Sequence, residues 1–226
     1  MFFAKLPRGL HAITHEIVLS WKRSTPVSPK RWTRIYVAMQ SSKKFSLAEV
    51  RAVLAHTPAT LNALLRGLPD AWVMSNEGRS KDGKDSWSAF DIVGHLIVGE
   101  RTDWMPRVGI ILESGEARAF DPFDRFAQSR ESQGKSLEQL LDDFAHLRSE
   151  NLAALHALNL QPEDLARRGK HPALGVVTLS ELLATWAVHD LTHLHQLSRV
   201  MAHQCRDAVG PWSAYLGVLH CSGHSA

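Results

Sequence analysis

The chain has 226 residues, of which 44% are hydrophobic and 22% are charged, as is ordinary for a globular protein with one good-sized domain. Its only cysteines are Cys205 and Cys221, which argues against a disulfide framework and predicts a reducing, cytoplasmic environment. No segment approaches about 18 uninterrupted apolar residues, so no membrane span is predicted.

Residues 1–44 form a basic extension. They contain nine Lys or Arg and one acidic residue, Glu16, whereas the rest of the chain has 17 basic and 22 acidic residues. The pI of 9.0 therefore comes from the extension, and no nucleic-acid partner is predicted for the domain. Three interpretations of the extension stay open: a disordered basic arm, a transit-type segment, or sequence upstream of a true start at Met39, which we favour.

Residues 45–220 are predicted to fold, beginning with two helices that have recognisable N-caps. The motif SLAE at 46–49 is a capping box, and GLP at 67–69 ends the helix that it opens. Pro58 lies inside this helix and predicts a kink or a break. After a polar loop, Ser88 caps the second helix, whose segment FDIVGHLIV is apolar on nearly every side and is expected to be central.

A long connection without a clear pattern leads to two further helices. The third begins at the capping box SLEQ, residues 136–139, and the fourth at Thr178, with Glu181 three residues on. Only Val176-Val177 suggests a strand. Four long amphipathic helices within one domain predict an all-α fold, an antiparallel four-helix bundle.

Two histidines on the fourth helix stand where packing alone would favour Leu or Ile. The core-facing spacing set by Leu179 and Trp186 continues through His189, His193 and Gln196. A spacing of four places the two imidazoles one turn apart on one face, where both can bind one metal ion. Burying an unpartnered imidazole costs about 1–3 kcal/mol, and a metal would partner both rings.

His95, deep in the apolar second helix, is the candidate third ligand. Three nitrogen ligands on neighbouring helices of a bundle leave a coordination position for water or substrate. Polar residues near these histidines in sequence are candidates to accept a ligand's other ring N–H: Glu100, Asp190 and Gln196. For the two carboxylates, ion pairs with Arg101 and Arg199 are the alternative. His195 is about 240° round the helix from His189 and is expected to point away.

These segments resemble the DinB-like superfamily of bacterial metal-binding four-helix bundles. The matching motifs are WSAFDIVGHL followed by ER, HPALG at 171–175, and HDLTHLHQ within the fourth helix; GPWSAYL resembles one branch of the family. The resemblance covers roughly residues 45–220 and implies that His95, His189 and His193 are the metal ligands. The family name refers to damage-inducible expression, so a stress-response role is one expectation. Some relatives are transferases that use bacillithiol, mycothiol or a similar thiol.

The resemblance implies a metal-dependent enzyme, with a thiol S-transferase or isomerase as the leading hypothesis. A divalent ion, for which nitrogen ligands suit Zn²⁺, Ni²⁺ or Fe²⁺, would activate a small thiol toward an electrophilic small molecule. No catalytic side chain is assigned, and neither cysteine is placed as a nucleophile. A fourth protein ligand such as His171 or Asp103 would favour the alternative, a non-catalytic protein with a structural metal. A bundle without metal is the third hypothesis. Homodimers are common in the family, although no sequence feature demands one.

Overall fold

The structure, a computed structural model, describes residues 45–78, 86–124 and 126–221. The predicted basic extension and most of the polar loop before Ser88 lie outside the described residues. The α-helices are α1 Leu47–Leu65, α2 Asp70–Val73, α3 Ala89–Thr102, α4 Trp104–Glu113, α5 Ala127–Glu131, α6 Leu137–Ala157, α7 Pro162–Leu165 and α8 Leu179–His203. The remaining elements are strands β1 Arg168–His171 and β2 Gly175–Thr178 and the 3₁₀ helices Gly115–Ala117, Gly210–Tyr215 and Gly217–Leu219. No helix in the described ranges combines the length and apolarity needed to cross a membrane.

The long helices α1, α3, α6 and α8 form a four-helix bundle, which confirms the predicted all-α four-helix class; the helix directions are not antiparallel for every adjacent pair. α1 packs against α6 and α8, and α3 packs against the same two helices. Contacts of Arg51 with His156 and of Arg66 with Asp142 set α1 antiparallel to α6. Therefore α1 lies diagonally opposite α3 in the bundle, and α6 lies diagonally opposite α8. In each case the two opposite helices are consecutive among the four bundle helices in the chain.

Two buried hydrophobic clusters, one toward each end of the bundle, fix the helix directions. One joins the end of α1, the start of α3, the start of α6 and the end of α8, and includes Leu61, Leu65, Ile92, Leu96, Leu140, Phe144, Leu197 and Val200. The other joins the start of α1, α4, the end of α6 and the start of α8, and includes Leu54, Trp104, Ile111, Leu155, Leu183 and Trp186. Consequently α3 runs parallel to α6 and antiparallel to α8. Each such buried side chain contributes about 1.5–3 kcal/mol relative to an exposed one.

The predicted helix starts are confirmed by their caps. Ser88, Ser136 and Thr178 each accept a backbone N–H from the residue three positions on, whose side chain bonds back to the cap. The hydroxyl of Ser46 likewise accepts the N–H of Glu49. These reciprocal bonds satisfy donors that a helix start leaves open. The starts of all four bundle helices are thus encoded locally.

Of the kink or break predicted at Pro58, the break does not occur, because α1 is continuous from Leu47 to Leu65. Proline has no backbone N–H, so the carbonyl of Leu54, four residues earlier, loses its usual helical donor. The Nη1 atom of Arg148 on α6 donates to this carbonyl oxygen at 2.9 Å. A tertiary hydrogen bond thus satisfies the acceptor that Pro58 leaves open.

The segment between α6 and α8 forms a hairpin rather than the single strand suggested by Val176-Val177. β1 and β2 pair antiparallel, with Gly169 opposite Val177. A Cβ atom on Gly169 would lie 2.6 Å from Ile111 Cγ1 and 3.0 Å from the ring of Phe120, so only glycine allows this approach. The hairpin therefore packs closely against α4, a helix that lies in the connection for which no clear pattern is found.

Candidate metal centre

The three histidines predicted as ligands meet at one point between α3 and α8. The Nε2 atoms of His95 and His193 each lie 3.1 Å from the Nε2 atom of His189. One ligand atom from each ring lies within 4.8 Å of the others. Nitrogen ligands about 2.1 Å from one ion are about 3.0–3.4 Å apart in octahedral or tetrahedral geometry. The spacing therefore fits one shared divalent ion.

Helix geometry and burial explain how the rings converge. His189 and His193 are one turn apart on the inner face of α8, as their spacing predicts. His193 is fully buried, His95 is 8% exposed on the facing side of α3, and His189 is partly exposed. The exposed position of His195 agrees with the expectation that it points away from the site.

Gln196 orients one of the imidazoles. Its Oε1 atom lies 2.8 Å from Nδ1 of His193, three residues earlier on α8. Because a carboxamide oxygen only accepts, the proton of the neutral ring sits on Nδ1. The lone pair on Nε2 of His193 is then directed into the histidine cluster, as a metal ligand requires.

The environment of His189 keeps its ring in the neutral form. Burial, followed by the neighbouring imidazoles of His193 and His95 and the positive charges of Arg148 and Arg107, lowers the pKa of His189 to about 2. A neutral imidazole is the form that binds metal. The Nδ1 atom of His189 is buried and has no hydrogen-bond partner among the described residues. The three converging Nε2 atoms and the all-nitrogen donor set fit a site that holds a cation.

Aromatic rings enclose the histidine cluster. The ring centroid of Trp87 lies 4.7 Å from that of His95, and Phe123 meets the same imidazole edge-on at 5.2 Å. Trp104 meets the ring of His189 edge-on at 5.2 Å. These apolar walls limit water around the cluster and so strengthen electrostatic interactions inside it. The predicted site omits all three, although Trp87 begins the WSAFDIVGHL motif.

One side of the cluster reaches an open groove of about 440 Å³. Within the described ranges, the residues that line this groove all lie on one face of α8: Glu181, Ala184, Thr185, Val188, His189 and Thr192. The imidazole of His189 thus borders both the buried cluster and solvent-accessible space. A molecule in this groove would approach the cluster from the His189 side.

The two residues considered as a fourth ligand have other contacts. Nδ1 of His171 accepts the backbone N–H groups of Ala173 and Leu174, both at 3.1 Å. Asp103 forms an ion pair with Arg107 at 2.8 Å. Neither joins the cluster of ligand atoms, which among the described residues contains three histidines and no fourth His, Cys or carboxylate. Three protein ligands leave room for an exogenous one.

Glu100 and Asp190, predicted as acceptors for a ring N–H, bind Arg148 instead. Nη2 of Arg148 lies 2.8 Å from Glu100 Oε1, and Nη1 lies 2.6 Å from Asp190 Oδ2. The indole N–H of Trp186 also donates to Glu100, and the hydroxyl of Thr57 donates to Asp190. Burial alone would lower the pKa of Arg148, but the bonds and charges of both carboxylates outweigh it and raise that pKa. The three ionic side chains form a buried network.

The predicted alternative partners of these carboxylates are also wrong. Arg101 pairs with Glu131 at 2.6 Å, and Arg199 pairs with Glu77 at 2.5 Å. The predicted site omits Arg148, although it lies four residues after the buried Phe144 on the apolar face of α6. A polar residue on a core-facing stripe, the same signal that points to His189, marks Arg148 as well.

Comparisons with known proteins agree with this fold and identify a family. A solved structure of YfiT from Bacillus subtilis, described as a probable metal-dependent hydrolase with an unusual four-helix bundle topology, is similar with a TM-score of 0.57. The match has 20% sequence identity and covers 75% of this chain and 91% of that chain, and at this identity it shows the fold alone. No curated protein matches. The sequence model of the DinB superfamily matches residues 54–197, which is more than half of the chain and includes all three histidines. The protein therefore belongs to the DinB superfamily.

Proposed function

We propose that this protein is a metal-dependent enzyme in which His95, His189 and His193 hold one divalent ion, Zn²⁺, Ni²⁺ or Fe²⁺. The observation that carries the proposal is the convergence of three Nε2 atoms beside an open groove. Three protein ligands with a free position are typical of catalytic rather than structural sites. The description of YfiT as a probable metal-dependent hydrolase supports a catalytic role.

The reaction that we favour is the transfer of a small thiol to an electrophilic small molecule. When bound, a divalent ion supplies Lewis acidity that favours the deprotonated form of a thiol. The thiol proton would pass to solvent water on the His189 side, so no protein base is required. The carboxylates around the cluster are engaged, Glu100 and Asp190 by Arg148 and Glu181 by its helix cap. Bonds from the backbone and side chain of Thr178 lower the pKa of Glu181, which makes it a weak proton acceptor.

The protein's own side chains would orient the metal ligands and limit water around them. Gln196 fixes the tautomer of His193, while Trp87 and Phe123 cover the His95 side of the cluster. The nucleophile would come from the cosubstrate, because Cys205 and Cys221 do not belong to the histidine cluster. The groove beside His189 would admit the thiol and its acceptor.

Hydrolysis is the second candidate, favoured by the description of YfiT. In that reaction the free coordination position would serve water rather than a thiol. A non-catalytic protein with a structural ion is the third. It would bind the metal and gain stability, yet it would turn over neither class of substrate.

The test compares metal-loaded protein, metal-free protein and His193→Ala in one assay series. Consumption of bacillithiol, mycothiol or glutathione is followed with a model electrophile, and ester hydrolysis is followed without thiol. Thiol transfer predicts turnover that needs the metal, a thiol and His193. Ester cleavage without thiol would instead establish the hydrolase. Equal rates for loaded wild type and His193→Ala in both assays would refute an enzyme at this site.

A further inference from the structure

The buried ion network ties the two ligand-bearing helices to the rest of the bundle. From α6, Arg148 donates to the carbonyl of Leu54 on α1, to Glu100 on α3 and to Asp190 on α8. One guanidinium thus contacts all three other bundle helices. Arg148 is 1% exposed, and the carboxylates are 2% and 0% exposed. Two carboxylates and one guanidinium give this network a net charge of minus one when all three are ionised.

The network lies beside the ligands along both helices. Asp190 directly follows His189 on α8, and Glu100 comes five residues after His95 on α3. Trp186, which donates to Glu100, is three residues before His189. Any displacement of α3 relative to α8 would therefore disturb the network and the histidine cluster together.

Trp186 and Asn151 donate to Glu100 and Thr57 donates to Asp190, but these bonds do not cancel the excess negative charge. Buried ion pairs are often no more stabilising than apolar side chains of similar volume, and an unbalanced charge adds a desolvation penalty. A cation nearby turns this penalty into an attraction, which is stronger in the interior than at the surface. The negative excess therefore suits a bundle that holds a dication.

We propose that the Glu100–Arg148–Asp190 network sets the metal affinity of the histidine cluster. It holds α3 and α8 at the separation at which their imidazoles meet, and it supplies one buried negative charge that offsets the charge of a divalent ion. This inference rests on the proposed metal site and deepens it. The three side chains are positioning residues, since the contacts they make are with one another and with the bundle rather than with the ligand atoms.

The first test is the Zn²⁺ dissociation constant, measured by competition with a chromogenic chelator. Asp190→Asn and Glu100→Gln each remove one negative charge and keep an acceptor oxygen for Arg148. Because each variant removes one buried negative charge that attracts a divalent ion, each should bind Zn²⁺ at least about tenfold more weakly. The matched control is Glu131→Gln, which removes an exposed carboxylate that pairs with Arg101. This control should stay within about twofold of wild type.

Two further variants separate charge from packing. Thr57→Val removes the hydroxyl that donates to Asp190 without changing the charge, and should weaken binding less than Asp190→Asn. The double variant Asp190→Asn with Arg148→Gln restores the net charge of minus one, so its affinity should recover relative to Asp190→Asn. Circular dichroism gives the folded fraction of each variant at the assay temperature. If the double variant does not fold, equal weakening in Thr57→Val and Asp190→Asn refutes the charge effect.

The outcomes distinguish failure of this inference from failure of the proposed function. Wild type that binds no Zn²⁺ would overturn both. Wild type that binds one equivalent, with Asp190→Asn and Glu100→Gln within about twofold of it, would overturn only the role of the network. Further weakening in a folded double variant would refute charge compensation.

Discussion

Replacing Arg148 with methionine should destabilise the protein far more than replacing an exposed arginine. The side chain makes four hydrogen bonds, two to Asp190 and one each to Glu100 and the Leu54 carbonyl. Methionine fills much of the volume but donates nothing, so two buried carboxylates lose their cation. Breaking a buried ion pair by removing one partner costs about 3–5 kcal/mol. The guanidinium also packs 4.8 Å from the ring centroid of Phe144, which adds a contact that is lost.

Urea denaturation followed by circular dichroism measures this loss, with Arg101→Met as the matched control. Arg101 also pairs with a glutamate, Glu131, but both side chains are 38% exposed. Exposed pairs contribute about 0–1 kcal/mol, so the control should unfold nearly as wild type does. A loss below about 1 kcal/mol in Arg148→Met, or one equal to the control, would refute the buried-network account.

Neutralising the two carboxylates that Arg148→Met leaves unpaired should restore part of the stability that this variant loses. In the triple variant Arg148→Met, Glu100→Gln, Asp190→Asn, no unpaired carboxylate remains in the interior. We expect it to be more stable than Arg148→Met alone by at least about 1 kcal/mol. A triple variant less stable than the single one would show that packing rather than charge accounts for the loss.

Three further predictions concern the hairpin, the aromatic walls and the histidine cluster. Gly169→Ala should lower the unfolding free energy by about 1–3 kcal/mol because its new Cβ overpacks against α4. In the control Gly109→Ala, the new Cβ has nothing within 4 Å, and the unfolding free energy should rise by up to about 1 kcal/mol. Thermal unfolding of both variants tests this. Binding of Ni²⁺ should quench tryptophan fluorescence, and Trp87→Phe should reduce this quenching because Trp87 lies beside His95. The control Trp212→Phe, which replaces a side chain that is 71% exposed, should not reduce it. Equal quenching in wild type and both variants would contradict the placement of the ion. The pKa of His189 is lowered from 6.5 to about 2 on folding, so the unfolded chain binds a proton more readily and metal-free protein should lose stability as the pH falls below 6.5. In urea titrations, His189→Gln should lose less stability than wild type, by about 1 kcal/mol for each pH unit below 6.5.

Local signals sufficed to predict the bundle helices and the histidine cluster. The caps at Ser88, Ser136 and Thr178 follow from side chains within three residues, and the inward face of α8 follows from helical periodicity. His95 is predicted to be buried because its helix is apolar on almost every side, and the structure shows that it is. Helix periodicity therefore predicted which side chains face the interior, and the resemblance assigned the ligands among them.

The partners of the buried carboxylates could not be predicted in the same way. Arg101 follows Glu100 directly and so projects about 100° away round the helix, while Arg199 is nine residues from Asp190 and projects from the opposite face. The actual partner, Arg148, comes from another helix, and only tertiary packing brings it close. Pro58 is a similar case. Proline removes the helical donor to the Leu54 carbonyl, and Arg148 on another helix supplies a hydrogen bond to that carbonyl instead.

The short elements that connect α3 to α6 and α6 to α8 had weak signals in the sequence. α4 begins with WMP, and its proline is tolerated because it lies in the first turn, where helical N–H groups have no intrahelical acceptor. The hairpin strands have four residues each, too few for periodicity to show. Their positions depend on close packing around Gly169 rather than on local preference.

Metal content is the most direct test of the central claim that three imidazoles bind one ion. Protein purified without a histidine tag, loaded with Zn²⁺ and then desalted, is analysed by mass spectrometry of the metal alongside His189→Ala and His195→Ala. Wild type and His195→Ala, whose altered ring is exposed on the same helix, should retain one equivalent per chain, and His189→Ala should retain almost none. Wild type without bound metal, or equal retention by His189→Ala, would contradict the account.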